Sequence, residues 1–435
     1  MTTQTSATPT LKAPVTDVRR VLEEILSGLR PRFFDVRFWD GSVWPGDSAP
    51  PRFTLVLRHP GAVRRMFWPP RPLSFASAYV YDDFDVEGDM LAFPQLCDYL
   101  VRGAAALSLA RQLKFAWRVW RLPRLDRPRA GRQPARLLGR PHSRERDRAA
   151  ICYHYDLPDQ FFEKILDPFM QYTSGVFESP EESLEAAQQR KLDLICRKLR
   201  LRAGDRLLDI GCGWGGLATF AAKNYGAQVI GVTLSRAQAE WSRARIRAAG
   251  LEDRCRIELA DYRDLDEGEP FDRITTVEVA EHFGGEQFPT YMDKCWRLLR
   301  PGGAILHQQI TLTGEAGMPT LAGAFMHAFV FPDAELLPVS FTLRCAEQRG
   351  FEVRDVEGFR EHYPLTLKHW LTNLESHETE LVAATDEATY RIFRLYFAGA
   401  AFDFEKGIYN VHQVLLAKPN GGQSGLPLSR ADWYR

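Results

Sequence analysis

Apolar positions along the chain follow two rhythms, one before residue 110 and another from 151 onward. Residues 16–30, TDVRRVLEEILSGLR, place apolar side chains three and four apart, which predicts an amphipathic helix. Two strand-like runs follow, FDVRFWDG and RFTLVLRH, parted by a Pro/Gly-rich stretch. A short helix opening at Pro60-Gly61, the segment LSFASAYVYDDFDVEGDM and a helix from about 93 (FPQLCDYLVRGAAAL) complete a small α+β domain over 16–110. Beyond 151, strand and helix alternate, the signature of an α/β fold. RLLDI (206–210), AQVIGVT (227–233), CRIELAD (255–261), FDRITTVE (271–278) and AILHQQITL (304–312) predict five strands. FEVRDVE (351–357) and YNVHQVLLAK (409–418) supply a sixth and seventh, with a helical insert at 318–347 and a helical segment at 365–404. The expected architecture is a seven-stranded Rossmann-like sheet over 151–420 with helical insertions. Residues 1–15, rich in Thr, Ser, Pro and Ala, are expected to be disordered, and 421–435 form a tail.

Residues 111–150 break both rhythms. Thirteen Arg/Lys stand against Asp126, Glu145 and Asp147, and Phe115, Trp117 and Trp120 interleave with the first of the cations. A basic helix bearing aromatics suits an anionic bilayer surface; the Pro/Gly-containing second half reads as a linker. The whole chain, by contrast, balances 56 basic against 56 acidic residues and has no bias toward nucleic acid. Its seven cysteines are scattered and never spaced as CxxC, which argues against a disulfide framework or a zinc site and for a reducing cytoplasm. The N-terminus lacks the apolar core of a signal peptide, and no apolar run reaches the ~18 residues of a membrane span. Any membrane contact is therefore expected to be peripheral.

The strongest local chemistry is Leu208-Asp209-Ile210-Gly211-Cys212-Gly213-Trp214-Gly215-Gly216, at the junction of a strand and a helix. Glycines there permit a tight turn and close approach of backbone to ligand. Gly211-x-Gly213-x-x-Gly216 also satisfies the dinucleotide fingerprint. Two features favour S-adenosylmethionine. Asp209 suits an amino-acid moiety and would repel a pyrophosphate. The second strand ends at Thr233-Leu234-Ser235, without the acid that a nicotinamide dinucleotide's ribose wants.

Ordered pieces between about 150 and 418 then resemble the cyclopropane-fatty-acid synthase family, which includes the mycolic-acid cyclopropane synthases. They are Tyr153-His154-Tyr155-Asp156-Leu157, Leu166-Asp167-Pro168, Gln171-Tyr172-Thr173-Ser174, Ala186 to Leu192, the glycine loop, Gly231 to Ser235 with Gln238, Asp261-Tyr262-Arg263-Asp264, Glu281-His282-Phe283-Gly284, Leu306-His307, and His362-Tyr363 followed by Thr366-Leu367 and Trp370. The resemblance implies a class I methyltransferase fold that uses S-adenosylmethionine. It gives Tyr155, Tyr172, Thr173 and Ser174 to the cofactor or a lid, and Asp209, Gly211 and Gly213 to its methionine end. Thr233, Leu234 and Gln238 then go to the ribose, and Asp261 and Tyr262 to the adenine. It also implies a catalytic group of Glu281, His307 and Tyr363, with His282 and Ser174 beside it, holding bicarbonate as base; no metal is implied.

The implied substrate is the cis double bond of an unsaturated fatty-acyl chain in a membrane phospholipid, met at the inner face of the plasma membrane, and the implied assembly is a homodimer. Methyl transfer to an alkene leaves a carbocation, which a base must deprotonate. Loss of a methyl proton closes a cyclopropane; a hydride shift before the loss leaves a methylene branch, which a reductase would turn into a methyl branch. Three departures line the expected reaction centre: Ser174 where cysteine is common, Glu278-Val279-Ala280 where glycine and an aromatic are common, and Gln309 where an aliphatic residue is usual. A methyltransferase for small O- or N-nucleophiles and a non-catalytic lipid-binding protein on the same fold are the rival readings.

Overall fold

The computed structural model describes residues 15–106, 108–125, 128–313 and 320–434. Most of the stretch expected to be disordered, 1–14, lies outside them. The chain forms two compact units. The first takes residues up to Gln133 and adds two later pieces, Thr320–Phe325 and Asp386–Gly399. Its sheet has strands β1 (Phe34–Arg37), β2 (Val43–Trp44), β3 (Phe53–Leu57) and β4 (Phe84–Gly88) in the order β2-β1-β3-β4. Period-two burial in β1 sends Phe34 and Val36 inward, where Phe34 stacks on Phe53 at 4.8 Å.

Arg391 enters this apolar core and is buried. It donates to the Tyr79 and Phe84 carbonyls at 2.7 and 2.6 Å. It also lies over the Tyr79 ring and pairs with Asp82 and Asp85. The basic aromatic segment forms a helix, Leu109–Arg121. Val119 is its buried residue, whereas Leu109, Leu113, Trp117 and Trp120 are exposed. Their spacing of four, four and three puts them in one stripe. Arg118 pairs with Glu24, and Arg121 lies over the Trp117 ring at 4.7 Å.

The second unit holds a seven-stranded sheet: β5 (Arg206–Ile210), β6 (Gln228–Thr233), β7 (Cys255–Leu259), β8 (Phe271–Val277), β9 (Leu299–Leu312), β10 (Glu352–Gly358) and β11 (Tyr409–Ala417). The order is β10-β11-β9-β8-β5-β6-β7. The strands β5 to β9 run parallel, and β11 lies antiparallel between β9 and β10. Their cores read as near-continuous apolar runs because helices cover both faces. β9 starts earlier than its apolar run, at Leu299. It carries Pro301-Gly302-Gly303 through a register shift rather than ending a helix there. The helical insert consists, within the described residues, of Thr320–Phe325, a π-turn at Met326–Val330 and Val339–Gln348. The later helical segment is three helices: His362–Ser376, Glu378–Ala384 and Glu387–Glu405. Chain order reverses between β5 and β8, so a crevice opens at the carboxyl ends of these strands. Among the described residues no helix is long and apolar enough to cross a membrane.

Candidate active site

The glycine turn leaves β5 at that crevice. Gly211 has φ +71°, and a Cβ on it would meet Val279 at 2.4 Å; a side chain is excluded on both counts. Gly213, at φ +54°, faces open space, so its backbone is available to a ligand. Asp209, buried beside it, accepts from the Thr275 hydroxyl at 2.9 Å through one oxygen, while its Oδ2 has no partner. Burial pushes its carboxyl up to about 7, against the pull of Thr275 and Lys191. An orphaned acid oxygen next to an open turn fits the ammonium of an amino-acid moiety.

The cavity here is lined by Tyr155, Tyr172 and Thr173 on one side and by Asp209, Gly211 and Gly213 below. Thr233, Leu234 and Gln238 line it at the end of β6, Asp261 and Tyr262 after β7, and His282 after β8. The Thr233 hydroxyl donates to Gln238 Oε1 at 2.7 Å, and Ser235 caps the following helix. Asp261 caps a 3-10 turn and receives Arg263, which also reaches Asp147; despite burial, Arg263 holds the Asp261 carboxyl below the usual range. The loop bearing Tyr172 is fixed by Asp167, whose two oxygens accept from Phe169 N and Gln171 N. The Phe169 carbonyl stands 2.1 Å from where a Cβ on Gly216 would be, so the third glycine of the motif seats this loop. Tyr155, Tyr172 and Trp214 bring aromatic rings to the cavity, backed by Phe162 and Trp370: Tyr172 lies 4.9 Å from Trp370 and 5.6 Å from Phe162, and Phe162 lies 4.7 Å from Trp214.

Glu278 is a further acid in the lining of this cavity, beside Asp209 and Asp261. It follows β8 with φ +55°, a left-handed conformation that is strained for a residue with a Cβ. Its Oε1 accepts from Ser174 N at 3.1 Å and Gln308 Nε2 at 2.6 Å, and its Oε2 from the Tyr363 hydroxyl at 2.8 Å. Burial raises its pKa against the pull of Lys191 and these donors. The fully buried Lys191 donates to Thr173 Oγ1 and counters the charges of Glu278, Asp167 and Asp209; burial brings its ammonium down to about 8. Glu281 accepts from Ile310 N at 2.5 Å and leaves Oε2 without a partner. Burial, then the neighbouring Glu278 charge, push it up to about 8.

The structure thus joins Tyr363 and Ser174, and joins them through Glu278. His307 is arranged differently from the expected group. Its nitrogens engage Tyr291 at 3.2 Å and Gln309 at 2.5 Å, and burial brings its pKa down to about 4. The reason is the pleat: successive side chains of a strand face opposite sides. His307 and Gln309 share one face of β9, whereas Gln308 points to Glu278 and Gln413 on the other. His282 lines the cavity, its imidazole kept neutral by burial with a pKa of about 4. Of the group expected to hold bicarbonate, Glu281, His307 and Tyr363 with Ser174 beside them, the Tyr363 hydroxyl and the Ser174 amide are occupied by Glu278 and His307 is engaged by Tyr291 and Gln309, so the geometry does not fit a second anion there. Sequence reasoning took Glu278 only as part of a stretch that departs from the family's glycine and aromatic, and Lys191 only as part of a motif.

The chain matches the family described as mycolic acid cyclopropane synthetase over residues 142–414. It therefore belongs to this family of S-adenosylmethionine-dependent methyltransferases. A Pseudomonas putida protein described as a probable fatty acid methyltransferase is 38% identical over 404 residues, covering 92% of this chain and 96% of its own. A Mycobacterium tuberculosis protein of the same description is 37% identical, covering 90% of this chain and 92% of its own. The cyclopropane synthase MmaA2 from Mycobacterium tuberculosis superposes with a TM-score of 0.60 at 30% identity, over 62% of this chain and 97% of that one. The mycolic acid cyclopropane synthase CmaA1, solved with SAH and CTAB, does so at 0.59 and 33%, with the same coverage. The fold is the class I methyltransferase fold.

Proposed function

We propose that this methyltransferase alkylates the cis double bond of unsaturated fatty-acyl chains in membrane phospholipids. The resulting carbocation is deprotonated to a cyclopropane or to a methylene-branched chain, the precursor of a 10-methyl chain. The observation that carries this reading is the meeting of the Glu278 carboxylate, backed by the buried Glu281, with the aromatic rings of Tyr155, Tyr172 and Trp214 in the lining of one cavity. An alkene needs no deprotonation before attack and needs a base after it, while ring faces stabilise the intervening cation. S-Adenosylmethionine, when bound, supplies an electrophilic methyl group on a sulfonium. Asp209, Gly211 and Gly213 hold its methionine end, Thr233, Leu234 and Gln238 the ribose, and Asp261 and Tyr262 the adenine. Tyr155, Tyr172, Thr173 and Ser174 close the site and exclude water. Tyr363 and the Ser174 amide fix negative charge at the reaction centre, with Glu281 and His282 beside it. His307 positions β9 from its far face through Tyr291 and Gln309.

The enzyme works at the inner face of the plasma membrane. The exposed stripe of Leu109, Leu113, Trp117 and Trp120, flanked by arginines, supports this reading. A methylene product would pass to a reductase. The test is incubation of the purified protein with methyl-labelled S-adenosylmethionine and vesicles of monounsaturated or fully saturated phospholipid, followed by mass spectrometry and NMR of the acyl chains. Label in the unsaturated chains alone, as ring or methylene carbon, is expected. Label entering only polar O- or N-acceptors would overturn the proposal.

A further inference from the structure

We propose that the base of this enzyme is its own Glu278 carboxylate, which fills the place of a captured bicarbonate. The inference rests on the alkene reading above and deepens it.

Four observations converge on Glu278. Its backbone sits at φ +55°, where glycine is at ease and a glutamate is strained; strain of that kind persists where the surroundings impose it. Three donors from separate elements then close on its two oxygens: the Ser174 amide, the Gln308 side chain on β9 and the Tyr363 hydroxyl. Gln308 is itself oriented from behind, since Gln413 Nε2 donates to its Oε1 at 2.8 Å. The carboxylate nevertheless lines the cavity, together with Asp209, Gly211 and Tyr172. Lys191, buried behind Thr173, supplies the opposing charge. Such a cradle fixes an anion by converging hydrogen bonds, and its occupant is covalently part of the chain.

The step balances within this site. Methyl transfer leaves the sulfur as a neutral thioether and puts the positive charge on the acyl carbon. A methyl C–H bond then breaks, and its electron pair forms the third ring bond; if a hydride first shifts from the methyl-bearing carbon to the cationic one, the same pair forms the methylene double bond instead. The proton passes to a Glu278 oxygen, from which it is returned to solvent before the next turnover. No added anion is consumed.

The experiment compares the wild type with Glu278→Gln, Glu278→Asp and Glu278→Gly, using unsaturated phospholipid vesicles in CO2-free buffer with and without added bicarbonate. The wild type is expected to turn over equally in both buffers. Glu278→Gln keeps the hydrogen-bond acceptor and cannot take the proton, so its turnover should fall at least about tenfold, and about 100-fold at a typical general-base contribution. Its affinity for S-adenosylmethionine should stay within about threefold of wild type, because the binding contacts are untouched. Glu278→Asp should retain more turnover than Glu278→Gln, an ordering that a purely structural role would not produce. A wild type that depends on bicarbonate, or a Glu278→Gln variant that falls less than about tenfold, overturns the inference. Should the Gln variant fail to bind the cofactor, Glu278→Gly decides: a gain in turnover on adding formate supports the base role, and no gain overturns it. A wild type that labels no unsaturated chain sinks the alkene reading itself, whereas labelling by wild type and Gln variant alike sinks this inference alone.

Discussion

Each unit of the molecule buries a cluster of charges, and the two clusters follow opposite rules. In the first unit, Arg391 gives its protons to two backbone carbonyls and its charge to Asp82 and Asp85; the ring of Tyr79 covers it. In the second, the acids Asp209, Glu278 and Glu281 crowd around a single buried ammonium, that of Lys191, and Glu281 keeps its proton up to about pH 8. Two of their oxygens lack partners, and their pKa values are raised. Charges with every valence answered serve the fold, since breaking a buried pair is what costs stability. Charges left partly unanswered at a cavity are poised to meet something that arrives.

Substitutions can break this contrast. Arg391→Ala should cost the most, about 3–5 kcal/mol, by stranding its carboxylate and carbonyl partners; chemical denaturation of the full chain would measure it. A loss under about 1 kcal/mol would place Arg391 among ordinary surface residues. Asp209→Asn should leave stability nearly unchanged and weaken S-adenosylmethionine binding by about 10–100-fold, the worth of a hydrogen bond to a charged group. Since Asp209 titrates at about 7, wild-type affinity should also rise from pH 6 to pH 8 as the acid ionises, and the Asn variant should lose that rise. Calorimetric titration at several pH values reads both.

Glu281 sharpens the comparison through stability. Its folded pKa of about 8 exceeds the ordinary 4.5, so the native state holds a proton that the unfolded chain releases between those values. The stabilisation is complete below the unfolded pKa and is lost as pH rises toward 8, at up to about 1.4 kcal/mol per pH unit. Glu281→Gln, which carries no titrating proton, should flatten this decline in denaturation curves taken from pH 5 to pH 8. The smallest effect on stability, within about 0.5 kcal/mol, belongs to Trp117→Ser with Leu113→Ser on the exposed stripe. The same pair should clearly weaken sedimentation with anionic vesicles. Unchanged vesicle binding would make the stripe incidental.

The sequence displayed the sheet and the cofactor cradle better than the acid site. Strands β5 to β8 and β11 announce themselves as apolar runs with turns between them, and Asp209, Gly211 and Gly213 form a local motif whose spacing is its geometry. Glu278 could not be read in the same way, because its importance lies in partners brought from Ser174, Gln308 and Tyr363, far apart in the chain. The signal available was the departure at Glu278-Val279-Ala280, an acid in a stretch where glycine and an aromatic are common. His307 was misleading for a related reason: the residue type is right for chemistry, but the alternation of β9 gives the acid's face to Gln308. The start of β9 was hidden because Pro301-Gly302-Gly303 imitates a stop while the strand passes through it with a register shift. Nor did any periodicity reveal that Asp386–Gly399 belongs with the N-terminal residues.

That last feature constrains how the protein is made. The first unit is completed by residues near 391, so a gene fragment ending at Gln133 would encode neither unit whole, and its product should be prone to aggregation and proteolysis. On the ribosome, the early strands must wait for some 300 further residues, roughly 15–60 s of synthesis, before the arginine that closes their core emerges.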